Sequence, residues 1–418
     1  MAFNPLTERG IPLEKQFRNW SELNVQPYNK DEVHAFSRCR GIVMNGIEVE
    51  AVMFSHQMGR NTADPKLKQQ LALVRRAEAQ QQKAINWLIP GDESTLEVTI
   101  GYEQVAVDLT AWIAQHEPDA YLKQVYEFGL LEDFDHLYRY ANLLEMLEGK
   151  KAEKIVDGLT EIMPGRPTIF EHRDPRDEIR RPMTSLAADT QSILNALTVM
   201  SAEQQTMNFY MTIGNRPQEP LARGLYLEIA EIEEQHVSHY ESILDPTATW
   251  LTNLVFHEYN ECWLYHSFMQ QEPDRRVRAL YELHLNMEIE HLRVACEMMR
   301  KIEGRDPEEL LPTSIKEPLT FQENKEYVRS VLASQVDLTA KGAEFVPVGK
   351  LPSNHRYFDY QAVVNEGGVP SESVIEKARD QLGQDYRLET EGPHPVPGLV
   401  RENERDGATT EYATKVAA

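Results

Sequence analysis

Cysteine is scarce in this chain of 418 residues: Cys39, Cys262 and Cys296 are odd in number, widely spaced and outside any C-x-x-C pair. Neither a disulfide framework nor a rubredoxin-like or iron–sulfur site is indicated, and a reducing cytoplasm is the expected setting. Long apolar runs are missing as well. None reaches the ~18 residues that a membrane helix needs, and the opening Met1 to Arg9 lacks the apolar core of a signal peptide. A soluble protein with no membrane partner is therefore expected. Basic charge is short: 43 Lys and Arg stand against 67 Asp and Glu, a formal charge of −24, which argues against nucleic acid or an anionic membrane surface as the main partner. The same surplus would also arise from buried carboxylates neutralised by a bound cation. Strand-like alternation is scarce.

What fills the chain instead is helical periodicity. Leu221, Leu225, Ile229, Ile232 and Val237, then Leu280, Leu283, Met287, Leu292 and Met299, recur at the three- and four-residue spacing of amphipathic helices. Breakers punctuate them at Gly59-Arg60-Asn61, Pro90-Gly91, Glu117-Pro118-Asp119, Gly214 to Pro217, Asp245-Pro246 and Glu272-Pro273-Asp274, where Asp or Thr can cap the next helix. The expected class is all-α.

A 155-residue shift lays the chain on itself without a gap. Glu48 falls on Glu203, Gly59 on Gly214, Pro65 on Pro220, Glu78 on Glu233, Glu103 on Glu258, Glu117-Pro118-Asp119 on Glu272-Pro273-Asp274, and His136-Leu137 on His291-Leu292. Breakers, turn residues and a Glu/His set agreeing in one register indicate an internal duplication. The expected layout is a first four-helix bundle over 1–150, an irregular connector over 151–182, and a second bundle over 183–304. An extension over 305–418 follows, holding a short helix and an extended or partly disordered arm.

In the second copy Glu203, Glu233-x-x-His236, Glu258 with Glu261, and Glu288-x-x-His291 stand out. A Glu and a His three apart share one helix face. Glu203 lies 11 residues before Gly214 and Glu233 lies 13 after Pro220; Glu261 lies 11 before Glu272 and Glu288 lies 13 after Arg275. At ~1.5 Å per residue each hairpin brings its donors to one level. Burying four carboxylates in one layer is costly without cations, so a site for two metal ions is expected. The first copy keeps Glu48, Glu78, Glu103, Asp133 and His136 but has Gln81 where His236 stands. It reads as a degraded site that holds one metal, a weaker pair or none. Only 22 residues separate His236 from Glu258, so either the bundle runs up-down-up-down or hairpins are shared between adjacent bundles. In the shared case the hairpin of Glu103, Asp133 and His136 faces the hairpin of Glu203, Glu233 and His236. His239 and His284, one turn from His236 and Glu288, are candidates for supporting hydrogen bonds.

This set resembles the ferritin-like di-iron carboxylate superfamily, whose bundles supply one Glu from each of two helices and Glu-x-x-His from each of the other two. Leu227 to His236 looks like a rubrerythrin-type helix, and Glu258 with Glu261 is similar to the paired Glu of that group's third helix. The resemblance implies two tandem ferritin-like bundles and two iron ions, with manganese an alternative at one or both positions. Glu233 and Glu288 would bridge, His236 and His291 would each bind one ion, and Glu203 and Glu258 would be terminal. It further implies an oxidoreductase that activates O2 or reduces peroxide, an external electron donor, an organic substrate the sequence does not name, and a homo-oligomer. Iron handling, as a ferroxidase or store, is the competing expectation. The short crossover and the missing C-x-x-C module both depart from the family pattern.

Overall fold

The computed structural model describes residues 3–312, 314–315, 317–383 and 396. Among these the chain is predominantly helical, and its strands form one two-stranded antiparallel ladder. A single turn, α1 (Trp20–Leu23), precedes α2 (Ala35–Arg60), α3 (Pro65–Asn86), α4 (Thr95–His116) and α5 (Ala120–Glu148). The short α6 (Ala152–Ile155) and two 3-10 turns lead to α7 (Thr190–Ile213), α8 (Pro220–Glu241), α9 (Trp250–Gln271) and α10 (Arg275–Ile302). After these come α11 (Lys325–Gln335), β1 (Leu338–Lys341), β2 (Glu344–Pro347), α12 (Arg356–Val364) and α13 (Pro370–Leu382). No helix among the described residues is long and apolar enough to cross a membrane.

Every expected break falls between two of these helices or at the end of one, Gly59 and Arg60 being the last residues of α2, and local chemistry explains why. The Ser94 side chain accepts from the Glu97 amide while Glu97 reaches back to the Ser94 amide, a capping box that starts α4. Thr249 caps its counterpart α9, and Asp119 and Asp274 cap α5 and α10. Pro65 and Pro220 open α3 and α8, where a missing N–H costs nothing. Helices α2 to α5 begin at residues 35, 65, 95 and 120, and α7 to α10 at 190, 220, 250 and 275, each pair offset by the same 155 residues.

The compact units do not follow the expected boundaries. One comprises residues 1–92, 182–205 and 244–321; the other comprises 93–181, 206–243 and 322–418. The first unit thus takes hairpin α2–α3 from one copy and hairpin α9–α10 from the other, with α2 packed on α9. At Gly46 an added Cβ would sit 3.1 Å from the Ser201 carbonyl oxygen, so the missing side chain favours the close approach of α2 to the middle of α7. The second unit takes hairpin α4–α5 together with α8, and its core joins Leu130, Phe134 and Leu137 of α5 to Leu225 and Ile229 of α8. Eight residues join α3 to α4, and eight join α8 to α9. Such links are too short for the long crossover that would fold one copy's two hairpins around a common layer in the ferritin manner.

Two further expectations are corrected. The connector 151–182 is irregular, as its Pro and Gly content suggests, yet through residue 181 it belongs to the second unit and contributes buried side chains to it: Ile162, Met163, Arg166, Phe170 and Arg173 are each at most 2% exposed. The extension after 305 also holds more than one short helix and an arm. It contains α11, the β1–β2 hairpin, α12 and α13, and α13 packs on α5 and α8. The remainder of the expected arm, from 384 onward apart from Val396, lies outside the described residues.

Candidate metal centres

Each unit carries its own cluster of buried donors. In the first, α2 supplies Glu48, α3 supplies Glu78 and Gln81, α9 supplies Glu258 and Glu261, and α10 supplies Glu288 and His291; all are at most 3% exposed. They gather into two groups whose donor atoms lie within 4.8 Å of one another, Glu78 with Glu258 and His291, and Glu48 with Glu261 and Glu288. His291 Nδ1 lies 2.9 Å from Glu288 Oε2 and 3.9 Å from Glu258 Oε2. Its Nε2 faces outward, 2.7 Å from the amide oxygen of Gln16. Gln16 is fixed in that orientation because its amide nitrogen donates to the Ile11 and Met287 carbonyls. With Nε2 committed to Gln16, Nδ1 is the nitrogen that points inward, donating to Glu288 while it carries a proton and able to meet an ion once that proton leaves. Gln81 donates its amide to Glu288, and the Tyr265 hydroxyl donates to Glu48 while lying 3.0 Å from His284 Nδ1.

In the second unit α4 supplies Glu103, α5 supplies Asp133 and His136, and α8 supplies Glu233 and His236. His136 Nδ1 lies 3.1 Å from Glu233 Oε1; His236 Nδ1 lies 3.3 Å from Glu233 Oε2 and 3.2 Å from Asp133 Oδ1. Glu103, His136 and Glu233 form a compact donor group. Both imidazoles turn Nε2 outward to a buried carboxylate: His136 to Glu171 at 3.2 Å and His236 to Glu132 at 3.0 Å. Glu132 is held in turn by Arg173, whose Nη2 donates at 2.8 Å, and by Arg166 at 3.3 Å, all three fully buried. The Tyr210 hydroxyl donates to Glu103, as Tyr265 does to Glu48 in the first unit.

The electrostatics differ accordingly. In the first unit burial, then repulsion among the carboxylates, pushes Glu48, Glu258 and Glu261 well above the usual carboxylate range. Burial also raises Glu78 to about 7. Only Glu288 is held low, burial being outweighed by His291. Among the described residues no Lys or Arg pairs with any of these five carboxylates; His291 is their cationic partner. In the second unit burial raises Glu103 and Asp133, while Glu233 is held below its ordinary value because hydrogen bonds from His136 and His236 outweigh its burial. Burial opposes protonation of His136, but Glu171 overrides it and raises the imidazole well above its ordinary value.

A metal ion suits these donors on two observations. Glu48 Oε2, Glu78 Oε2, Glu258 Oε2, Glu261 Oε2 and Gln81 Oε1 in the first unit, and Glu103 Oε2 and Asp133 Oδ2 in the second, are buried acceptors with no hydrogen-bond donor. Such atoms are costly unless a cation meets them. The donor set itself, carboxylates with imidazoles, is that of iron, manganese or zinc centres.

The expected single six-donor centre is not what forms. Glu258, Glu261, Glu288 and His291 belong to the first unit, and Glu233 and His236 to the second. Glu203 is buried on α7, three residues before that helix passes from the first unit's residues to the second's. Within the second unit α5 faces α8, bringing His136 to Glu233 and Asp133 to His236. The residues read as a degraded first copy are consequently divided, with Glu48 and Glu78 in one cluster and Glu103, Asp133 and His136 in the other. Of the two supporting histidines, His284 reaches Glu48 through Tyr265, whereas His239 bonds the Val125 carbonyl. Glu132, Glu171, Arg166, Arg173 and Gln16 escaped sequence reasoning, because nothing in their spacing announces that connector and N-terminal segments fold over the imidazoles. No protein family, curated protein or solved structure matches the chain.

Proposed function

We propose that this chain is a di-metal oxidoreductase of the ferritin-like kind, using O2 or peroxide, with its principal centre in the second unit. The observation that carries the reading is the paired geometry of His136 and His236, each with Nδ1 toward the same Glu233 and Nε2 on a buried carboxylate. A structural histidine needs no such arrangement; carboxylate–imidazole pairs that set the tautomer and raise ligand basicity are the mark of metal support. Glu103, Asp133, His136, Glu233 and His236 would hold the ions. Iron, or iron with manganese, would supply redox chemistry and open coordination positions for O2 or peroxide.

The protein's own groups then have defined tasks. Glu132 and Glu171 keep the Nε2 protons of His236 and His136 in place, so both Nδ1 atoms remain available. Arg166 and Arg173 keep Glu132 ionised, overcoming a burial that alone would protonate it. Tyr210 holds a proton at its hydroxyl against Glu103, the position from which that carboxylate can be relieved of negative charge. The buried connector keeps water from the imidazole side.

The test is metal content and spectrum of aerobically purified protein, followed by anaerobic Fe(II) addition and exposure to O2. A few ions per chain, a near-ultraviolet charge-transfer band and O2 consumption are expected, all lost in His136→Ala combined with His236→Ala. Hundreds of irons per assembly would instead favour storage, and no Fe(II) uptake at all would sink the reading.

A further inference from the structure

Away from the carboxylate layer, the first unit has an open end with a lining of its own. Between the starts of α2 and α10 and the end of α3 lies a cavity of about 500 Å³, walled by Val33, Ile85, Leu88, Ile89 and Val277. An apolar trough of about 340 Å³ shares Leu88, Arg276 and Val277 with it and runs on to Val25, Leu280 and Leu283. Both are of the size that small-molecule sites have. Gly41 and Ile85 each stand seven residues from a cluster donor, Glu48 and Glu78, so the cavity sits ~10 Å along the bundle from the carboxylates. We propose that this elongated space binds a fatty carboxylate, with its acid group in the cavity and its alkyl chain along the trough.

The polar part of the lining is made of donors. The Asp31 amide donates to the side-chain oxygen of Asn29 at 3.1 Å, which leaves Asn29 its own amide N–H groups. The Phe36 amide donates to His34 Nδ1 at 3.2 Å, so that ring carries its N–H at Nε2. Arg38 is 4% exposed, its guanidinium 5.7 Å from the centre of the Tyr28 ring, and Arg276 lines both parts of the space. The acceptors are engaged elsewhere or stand at the rim. Asp274 accepts from the Arg276 amide at 2.7 Å and from its guanidinium at 3.1 Å, and the Ser37 hydroxyl donates to Glu272 at 2.8 Å. Glu32 is exposed. A carboxylate only accepts, so it suits such a lining; an ammonium head would set donors against donors, and a hydroxyl would engage fewer of them. A doubly charged phosphate would call for more cations than Arg38 and the Asp274-paired Arg276 supply.

Gly41 carries a second, separate argument. Glycine inside a helix costs ~1 kcal/mol relative to alanine, and at Gly41 neither a positive φ nor a close approach requires it, since a Cβ there would meet nothing within 4 Å. The space that a side chain would enter is the cavity, which Gly41 lines. At Gly46, one turn and a little further along α2, the missing Cβ serves packing; at Gly41 it keeps a cavity open. This inference rests on that lining and not on the oxidoreductase reading.

The test is isothermal titration of the full chain with dissolved decanoate, with hexanoate, decanol, decyltrimethylammonium and phosphatidylglycerol vesicles as comparison probes. Decanoate is expected to bind at one site. Hexanoate should bind at least ~10-fold more weakly for want of buried methylenes, and decanol and decyltrimethylammonium at least ~10-fold more weakly for want of charge-assisted hydrogen bonds. Gly41→Leu fills the cavity and should abolish decanoate binding. Arg276→Gln should weaken it by ~10-fold, and Glu32→Gln, which removes a like charge, should tighten it. Equal affinity for decanol or decyltrimethylammonium, unchanged decanoate affinity in Gly41→Leu, or binding to the vesicles with none to dissolved decanoate would overturn the proposal. If Gly41→Leu loses its fold by circular dichroism, Arg276→Gln and Glu32→Gln decide: shifts in the same direction, or none, would overturn it. No metal enters the titration, so its outcome is separate from that of the Fe(II) experiment.

Discussion

In the first unit five carboxylates share one imidazole, whose outer nitrogen meets the neutral amide of Gln16. In the second, Glu103, Asp133 and Glu233 share two imidazoles, each backed by a buried carboxylate, and one of those is clamped by two buried arginines. Helices that correspond across the 155-residue shift thus sit in two different electrostatic settings. The second unit has its polarity fixed by protein cations before any ion binds. The first leaves its carboxylates to share protons, so a bound cation would contribute more there to charge balance.

The largest expected effect lies in the second unit's arginine clamp. Glu132→Ala leaves Arg166 and Arg173 buried around a lost anion and should cost ~3–5 kcal/mol of stability in denaturant unfolding; a loss under 1 kcal/mol would show that the clamp is not buried in solution. Next comes His136→Ala. It should weaken metal binding in the second unit by at least the ~100-fold that loss of a supporting partner can cost, as severely as His236→Ala. Unchanged metal retention would break the hairpin pairing itself.

The third prediction concerns pH in the first unit. Glu78 is raised from 4.5 to about 7, so the fold favours its neutral form. Its contribution to metal-free stability is complete below pH 4.5 and is lost as pH rises through about 7. Melting temperature in chelator should fall across that window, and Glu78→Gln should flatten the fall. Bound metal should reverse the trend, since the ion replaces the proton. A Glu78→Gln profile identical to the parent would refute this.

A fourth, smaller effect sharpens the contrast between the outer partners of the imidazoles. Gln16→Glu gives His291 a carboxylate partner and should tighten metal binding in the first unit by ~10-fold, while Glu171→Gln should weaken it in the second by a similar factor. Isothermal titration with Fe(II) under nitrogen measures both, and equal affinities before and after would dissolve the contrast. The smallest effects are the cap removals Ser94→Ala and Thr249→Ala, each expected to cost ~1 kcal/mol in the unit that holds it without altering metal content. A change in metal content on removing either cap would show that helix ends and donors are coupled.

Much of this arrangement was legible beforehand. The helix boundaries followed from Pro, Gly and capping residues, because these act through the few bonds around them. The donor types followed from Glu-x-x-His spacing, which places both side chains on one face. The donors' partners did not follow. Glu171 and Arg173 lie in a stretch read only as irregular, and the role of Gln16 comes from an N-terminal segment docked on α10 through the Ile11 amide and the Asn286 carbonyl. In the sequence Gln81 marks a degraded site, and the structure sets it beside Glu288 among five buried carboxylates.

By itself the sequence determined the helices, their 155-residue repetition, and the level along each hairpin at which the donors sit. Rise per residue and distance from a turn set that level, whatever the hairpin packs against. The tertiary structure alone decided which hairpin faces which. Two equivalent hairpins present equivalent faces, so periodicity cannot choose between them; the eight-residue links and the long-range packing of α2 on α9 and α5 on α8 make the choice.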